Sequence, residues 1–207
     1  MNMLILDGGP RDVRGAACRE ISARAGQAAR RRGWDVTALE LDGMSVKPCR
    51  GCYACWMKHP GTCAVHDDEE LVHRAMAASD VQVWTTPVTF GGYGPALKRA
   101  LDRSIPNVLP RFIKVHGEVH HPQRYPKRRA FLVFGTLASP DAGAERIFHR
   151  LVRRNALNLS SVLTESRVIA GVAGLKEIDG LVDGALGEER LGDFRRDPAG
   201  HAVLHAD

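Results

Sequence analysis

MLILDGGP, residues 3–10, is the stretch on which the architecture turns. Met3, Leu4, Ile5 and Leu6 make a short apolar run that Asp7-Gly8-Gly9-Pro10 stops with turn residues, the pattern of a buried strand entering a loop. Apolar side chains then recur at Ala17, Ile21, Ala25 and Ala28, a spacing that puts them on one face of a helix. Gly33 ends that helix, and Asp35 to Leu41 reads as a second strand.

The same alternation continues along the chain. Asp67 and Asp68 suit the start of a helix whose inward face is Leu71, Val72, Ala75 and Met76. Val81 to Thr85 is strand three, and the glycine-rich loop from Pro87 to Gly94 leads into a helix carrying Leu97, Ala100 and Leu101. Residues 106–128 are rich in proline and charge and read as an irregular functional excursion or subunit contact. Ala130 to Phe134 is strand four, followed by a helix marked by Ile147, Phe148, Leu151 and Val152. Val168 to Val172 reads as strand five and Glu177 to Leu186 as a last short helix.

Strands alternating with helices at short intervals give an α/β protein, a parallel sheet with helices on both faces. Five such strands suit a flavodoxin-like three-layer sandwich of order 2-1-3-4-5, with a ligand beyond the carboxyl ends of strands one and three. The glycine loops Gly8 to Ala16 and Pro87 to Gly94 lie at those ends, where backbone N–H groups can approach an anion closely.

With 207 residues, 44% of them hydrophobic, the chain can bury one core. The expectation is a single domain over 1–186 with a weakly structured tail, 187–207. The net charge of +5 is spread over dispersed arginines without a nucleic-acid-binding motif, so no nucleic-acid partner is predicted. No apolar run reaches the ~18 residues of a membrane helix and no signal segment opens the chain, so a cytoplasmic protein without a membrane partner is predicted.

Four of the five cysteines, Cys49, Cys52, Cys55 and Cys63, fall in the loop 48–66 with spacing C-x2-C-x2-C-x7-C. Thiolates so spaced suit a 4Fe-4S cluster, three of them binding three irons and the later one the fourth. Structural zinc, with His59 or His66 completing the site, is a second reading. A third is a loop of buried free thiols packed with Tyr53 and Trp56. Cys18 falls within the first helix, and Trp34 and Trp84 read as core residues. His116, His120 and His121 read as exposed loop or as the makings of a metal site or substrate pocket.

LILDGGPR after strand one, the PCRGCYACW to CAVHDD loop, and TTPVTFGGYGPALKRALDR after strand three together resemble the flavodoxin-like NAD(P)H-dependent FMN reductases, particularly the cysteine-loop branch related to iron-sulfur flavoproteins. The resemblance runs from about Met1 to about Leu159. It implies an FMN with its phosphate at Gly8, Gly9, Pro10, Arg11 and Ala16. The flavin ring would lie over Pro87, Val88, Thr89, Phe90 and Gly91 and over the loop after strand four at Gly135 and Thr136. It also implies NAD(P)H as co-substrate, a homodimer, and Arg124 and Tyr125 near a neighbouring subunit's flavin. Relatives carry a serine before the loop's proline and a serine or threonine at its helix end, where this chain has Gly9 and Ala16. Losing two hydroxyl donors costs a few kcal/mol at most, about 1 kcal/mol each and more against a charge. Charge from Arg11 and Arg14 would compensate only part of that. Weaker FMN binding, restored by Gly9→Ser and Ala16→Thr, is therefore expected. The relatives' aromatic residue between Val88 and Phe90 is Thr89 here.

The activity implied is transfer of hydride from NAD(P)H to flavin and onward to a second flavin, a quinone, a nitro compound or another small electron acceptor. No side chain is identified as a catalytic acid or base. Two further readings are an iron-sulfur flavoprotein acting as an electron carrier to a redox protein partner, and a binding module that has kept the fold and lost the flavin.

Overall fold

Strand β1 (Asn2–Asp7) lies at the centre of a twisted parallel sheet, where its side chains alternate between two apolar layers. The computed structural model describes residues 1–115, 117–127, 129–171 and 178–187. The elements that follow are α1 (Ala16–Arg31), β2 (Asp35–Glu40), α2 (Ala54–Met57), α3 (Glu69–Ala78), β3 (Val81–Thr89), β4 (Gly92–Tyr93) and α4 (Pro95–Asp102). After these come β5 (Ile113–Val115), β6 (Glu118–His120), β7 (Ala130–Leu137), α5 (Ala142–Asn158), β8 (Leu163–Ala170) and α6 (Ile178–Ala185).

The parallel order is β2-β1-β3-β7-β8, the 2-1-3-4-5 arrangement expected from the sequence. Met3 and Ile5, with Val83, Leu132 and Phe134, face Ile21, Ala25, Ala28 and Ala29 of α1. Leu4 and Leu6, with Trp84, Phe131 and Val133, face Val72, Met76, Leu97, Phe148 and Val152 on α3, α4 and α5. Each large side chain removed from water in this way contributes about 1.5–3 kcal/mol. Trp34 and Trp84 are buried, as expected.

Several expectations are corrected. Strand five is β8, running from Leu163 to Ala170. It is an edge strand, and its half-exposed polar stretch Thr164 to Arg167 lacks the apolar run by which buried strands are read. Leu71 and Ile147 point to solvent, 59% and 53% exposed, so the buried stripes of α3 and α5 are narrower than predicted. The 106–128 segment is not wholly irregular: β5 and β6 form an antiparallel ribbon, and Val108 bridges to Gln123. Val172, Glu177, His116 and the tail from residue 188 lie outside the described residues.

Candidate functional site

Three loops meet at the carboxyl edge of the sheet, and glycines let them touch. A Cβ on Gly8 would come within 2.7 Å of Leu97 Cβ, and the Gly8 N–H donates to Thr85 O at 2.8 Å, so the β1 loop is pressed onto β3 and α4. A Cβ on Gly135 would stand 2.6 Å from Val88 Cγ2, which joins the β3 and β7 loops. The Cys18 thiol lies 3.4 Å from Thr136 Oγ1 and ties α1 to the β7 loop. Pro87 pairs with Thr136 across the sheet. Gly8, Gly9, Pro87, Val88, Gly135 and Thr136 are thus brought together, while the Arg11, Ala16, Thr89 and Phe90 side chains are exposed around them.

Within the β1 loop the donors are arranged around anionic oxygens. The Gly9 N–H donates to Asp7 Oδ1 at 2.9 Å, the Arg11 N–H to Asp42 Oδ2 at 3.0 Å and the Arg14 N–H to Asp12 Oδ1 at 2.9 Å. Arg19 holds the loop's outer turn by donating to Pro10 O and Asp12 O at 2.6 and 2.9 Å. Asp12 and Asp42 are exposed; the Asp12 carboxylate caps the short turn Val13–Gly15 and the Asp42 carboxylate holds the Arg11 N–H. Backbone N–H groups of this kind suit an anion, and a phosphate would have to displace both carboxylates to reach them.

Asp7 is different, because it is buried. Burial pushes its carboxyl above the ordinary value, against the opposing hydrogen bonds from the Gly9 N–H, Ser22 and Thr85. A fixed acid therefore lies beneath the loop. The expected restoration by Gly9→Ser is corrected here: a Cβ on Gly9 would stand 2.6 Å from Cys18 Cβ and 3.0 Å from Asp7 Oδ1, leaving no room for a serine. Burial raises the Cys18 thiol to about 11, so it packs as a neutral group.

The cysteine segment projects from a tight stem. Arg103, at the end of α4, donates to Lys47 O at 2.8 Å, Val65 O at 3.1 Å and both Asp67 oxygens at 2.9 Å. Asp67 also accepts the Lys47 N–H at 3.0 Å. Burial pushes the Asp67 carboxyl up, but Arg103 and the N–H groups of Lys47 and Glu69 outweigh it and hold the group below the ordinary carboxylate range. Beyond the stem, Trp56 donates to Val108 O at 3.0 Å, stacks on Tyr53 with ring centroids 5.3 Å apart and meets His121 at a tilt with centroids 4.8 Å apart.

All four thiols of the loop are free. Cys49 and Cys52 are exposed, Cys63 is half-buried and Cys55 is buried. Burial raises the Cys55 thiol. Among the described residues no three Cys, His, Asp or Glu side chains converge as a metal requires. The donor set fits a cluster in number and type, and closure of the loop would have to bring it together.

His120 is buried against Asn158 and His121 bonds Arg111 O, so neither faces a shared site. Arg124 is spent on Pro106 O and Val108 O, while Tyr125 is 44% exposed. Asp7 and the Arg103–Asp67 clamp escape sequence reading, since their roles depend on partners 36 or more positions away or on burial alone.

Comparison with known proteins gives the family and the fold. An iron-sulfur flavoprotein of Methanosarcina thermophila is 30% identical over 105 residues, 51% of this chain and 53% of that protein. A second, from Methanocaldococcus jannaschii, is 34% identical over 74 residues, 36% of this chain and 37% of that one. The chain thus aligns with about half, or less, of the length of these curated relatives. Among solved structures, an FMN-dependent NADH-azoreductase from Bacillus anthracis in complex with FMN superposes with a TM-score of 0.65 at 12% identity, covering 91% of this chain and 99% of that one. An NAD(P)H:quinone oxidoreductase from Methanothermobacter marburgensis gives 0.65 at 14% identity, covering 97% and 99%. At such identities these two establish the flavodoxin-like fold. Residues 1–149, nearly all of the sheet and the three convergent loops, match a single family, and the chain belongs to the NADPH-dependent FMN reductases.

Proposed function

We propose that the protein is an FMN-dependent NAD(P)H oxidoreductase that delivers electrons to a small acceptor. The observation that carries this is the junction of three loops at the switch point of the sheet, with backbone donors already turned toward carboxylate oxygens in the first of them. The Gly8–Ala16 loop would hold the phosphate, with Arg11 adding charge. Pro87 to Gly91, Gly135 and Thr136 would form the floor for the ring. Bound there, the flavin would supply hydride acceptance and onward electron transfer. The chain's own groups position it and exclude water beneath it: Thr85 and Ser22, hydroxyl to hydroxyl at 2.9 Å, close the space under the first loop. Asp7 lies at that depth, and its ionised form opposes a phosphate dianion.

A second reading, favoured by four free thiols spaced C-x2-C-x2-C-x7-C on one loop, adds a 4Fe-4S cluster at Cys49, Cys52, Cys55 and Cys63 and a redox protein partner. A homodimer and a cytoplasmic location complete the proposal; among the described residues no helix is long and apolar enough to cross a membrane. The test is the absorption spectrum of anaerobically purified protein, followed by FMN titration and NADPH oxidation. Flavin bands with turnover are expected. A chain that takes up no FMN at millimolar excess refutes the oxidoreductase reading, and absence of bound iron after reconstitution refutes the cluster.

A further inference from the structure

Away from the three loops, α5 and β8 bring together a hydroxyl, an imidazole and a carboxylate that the flavin reading leaves unused. Ser166 Oγ lies 2.6 Å from His149 Nδ1, and His149 Nε2 lies 3.4 Å from Glu145 Oε1. Glu145 and His149 are one turn apart on α5, whereas Ser166 comes from the neighbouring edge strand, so the fold and not the helix repeat completes the row. One tautomer satisfies both contacts, with Nδ1 accepting from the Ser166 hydroxyl and Nε2–H donating to Glu145. The imidazole is 28% exposed and the carboxylate 48%, so solvent reaches the row. Beside it runs a groove of about 540 Å³ lined by Arg146, Arg150, Arg153, Arg154 and Leu157. Arg146 and Arg153 stand three positions before and four after His149, next to it on the helix surface. Arg154 is paired with Glu118, and among the described residues Arg146, Arg150 and Arg153 have no carboxylate partner.

We propose that Ser166, His149 and Glu145 form an acyl-transfer site for small esters that carry a negative charge. Nucleophile, base and orienting acid follow one another as covalent hydrolysis requires, with the two imidazole nitrogens exchanged relative to the usual triad. His149 Nδ1 takes the Ser166 proton as the bond from Oγ to the acyl carbon forms, and gives it to the alcohol oxygen as the ester C–O bond breaks. Water then attacks the acyl-serine, its proton passes through His149 to Ser166 Oγ, and the carboxylic acid leaves. No electrons are exchanged, so the reaction needs neither flavin nor nicotinamide. Glu145 acts through His149 and is a positioning residue. The uncompensated guanidinium groups of the groove select the charge: they attract a carboxylate or phosphate on the substrate and favour the charge that develops on the carbonyl oxygen.

The test is hydrolysis of 2-nitrophenyl acetate and of its carboxylated counterpart, 4-acetoxy-3-nitrobenzoate, by the full chain, followed by absorbance, with a thermal melt of each variant to establish folding. The native chain hydrolyses both above the buffer rate and prefers the carboxylate. Ser166→Ala and His149→Gln lower kcat/KM by about 100-fold or more, and Glu145→Gln lowers kcat more than it raises KM. Arg146→Gln combined with Arg153→Gln raises KM for the carboxylate about ten-fold and leaves that for the acetate within about two-fold. Diisopropyl fluorophosphate labels Ser166, read by peptide mass spectrometry of the native chain, and this label decides the matter where Ser166→Ala does not fold. Hydrolysis no faster than in buffer, hydrolysis unchanged in a folded Ser166→Ala, or a native chain whose Ser166 stays unlabelled overturns the proposal. Equal changes in KM for the two esters in the arginine variant overturn the anionic substrate class.

Discussion

Replacing Arg103 with methionine should open the stem of the cysteine segment. Its side chain is 1% exposed and that of Asp67 3% exposed, so the pair is buried, and the guanidinium also satisfies Lys47 O and Val65 O. Methionine conserves much of the volume but none of the donors. Asp67 would then be left as a buried carboxylate with backbone N–H partners only, and removing one member of a buried pair costs about 3–5 kcal/mol. For a chain of this size that corresponds to a fall in Tm of about 6–20 °C. Glu69, 3.7 Å from Arg103, loses that cationic neighbour and keeps the hydrogen-bond contact with His73 at 3.1 Å.

The assay is urea unfolding of Arg103→Met, Asp67→Asn and the double variant, with trypsin cleavage at Arg50 and Lys58 reporting the loop. Asp67→Asn should recover part of the loss in the methionine background, because the uncompensated charge has gone. Arg103→Lys should fall between the extremes, keeping the charge and losing the two-pronged geometry. The sign of the pH effect follows from Asp67. Its folded pKa lies below its unfolded one, so the clamp contributes fully above the unfolded value near ~4 and is lost as pH falls through the folded value. A loss below about 1 kcal/mol in Arg103→Met with unchanged cleavage would refute the clamp, since a buried pair cannot be removed at that cost.

Three other outcomes are expected. Gly9→Ser should cost about 1–3 kcal/mol by overpacking against Cys18 and weaken FMN binding, whereas Ala16→Thr, at an exposed first-turn position, should be tolerated; FMN titration and thermal melts of the two check this. Asp7→Asn keeps an oxygen for the Gly9 N–H and removes the charge, so FMN should bind more tightly. Since the folded pKa of Asp7 is raised, the native chain loses stability as pH climbs from the unfolded value through the folded one, and the advantage of the asparagine should widen over that interval in melts from pH 4 upward. Trp56→Phe keeps a ring between Tyr53 and His121 and gives up the indole bonds to Ile105 O and Val108 O, a cost of about 1 kcal/mol for each bond, read as faster trypsin cleavage at Lys58.

The sheet was legible because its central strands are short, largely apolar runs with glycine or proline soon after them, and right-handed crossovers leave few orders open. The edge strand β8 was legible only at its apolar end, where Val168 and Ile169 lie, because Thr164 to Arg167 carry no buried face to mark them. The loops of the site were legible as glycine clusters at strand ends. What their glycines accommodate was not. Gly135 faces Val88 and Gly9 faces Cys18 across separations that no local pattern encodes. Arg103 reads as one more charge at the end of an amphipathic helix, and only the folded chain shows it closing a loop whose ends lie 36 and 56 positions away.

The departures in the first loop form one coupled change. A serine at position 9 would collide with the Cys18 Cβ, which α1 fixes in place, so the glycine is the residue that lets the helix approach the loop this closely. That approach puts the Cys18 thiol on Thr136 and closes the floor between the first and third loops. Asp7, at the end of β1, then satisfies the Gly9 N–H that would otherwise be left for a ligand oxygen. Restoring any one of these positions alone therefore leaves the others in conflict: a serine without space, or a free N–H above a buried acid. Affinity for a phosphate should respond to Asp7 and Gly9 non-additively, because both act through the same N–H group and the same few ångströms of packed space.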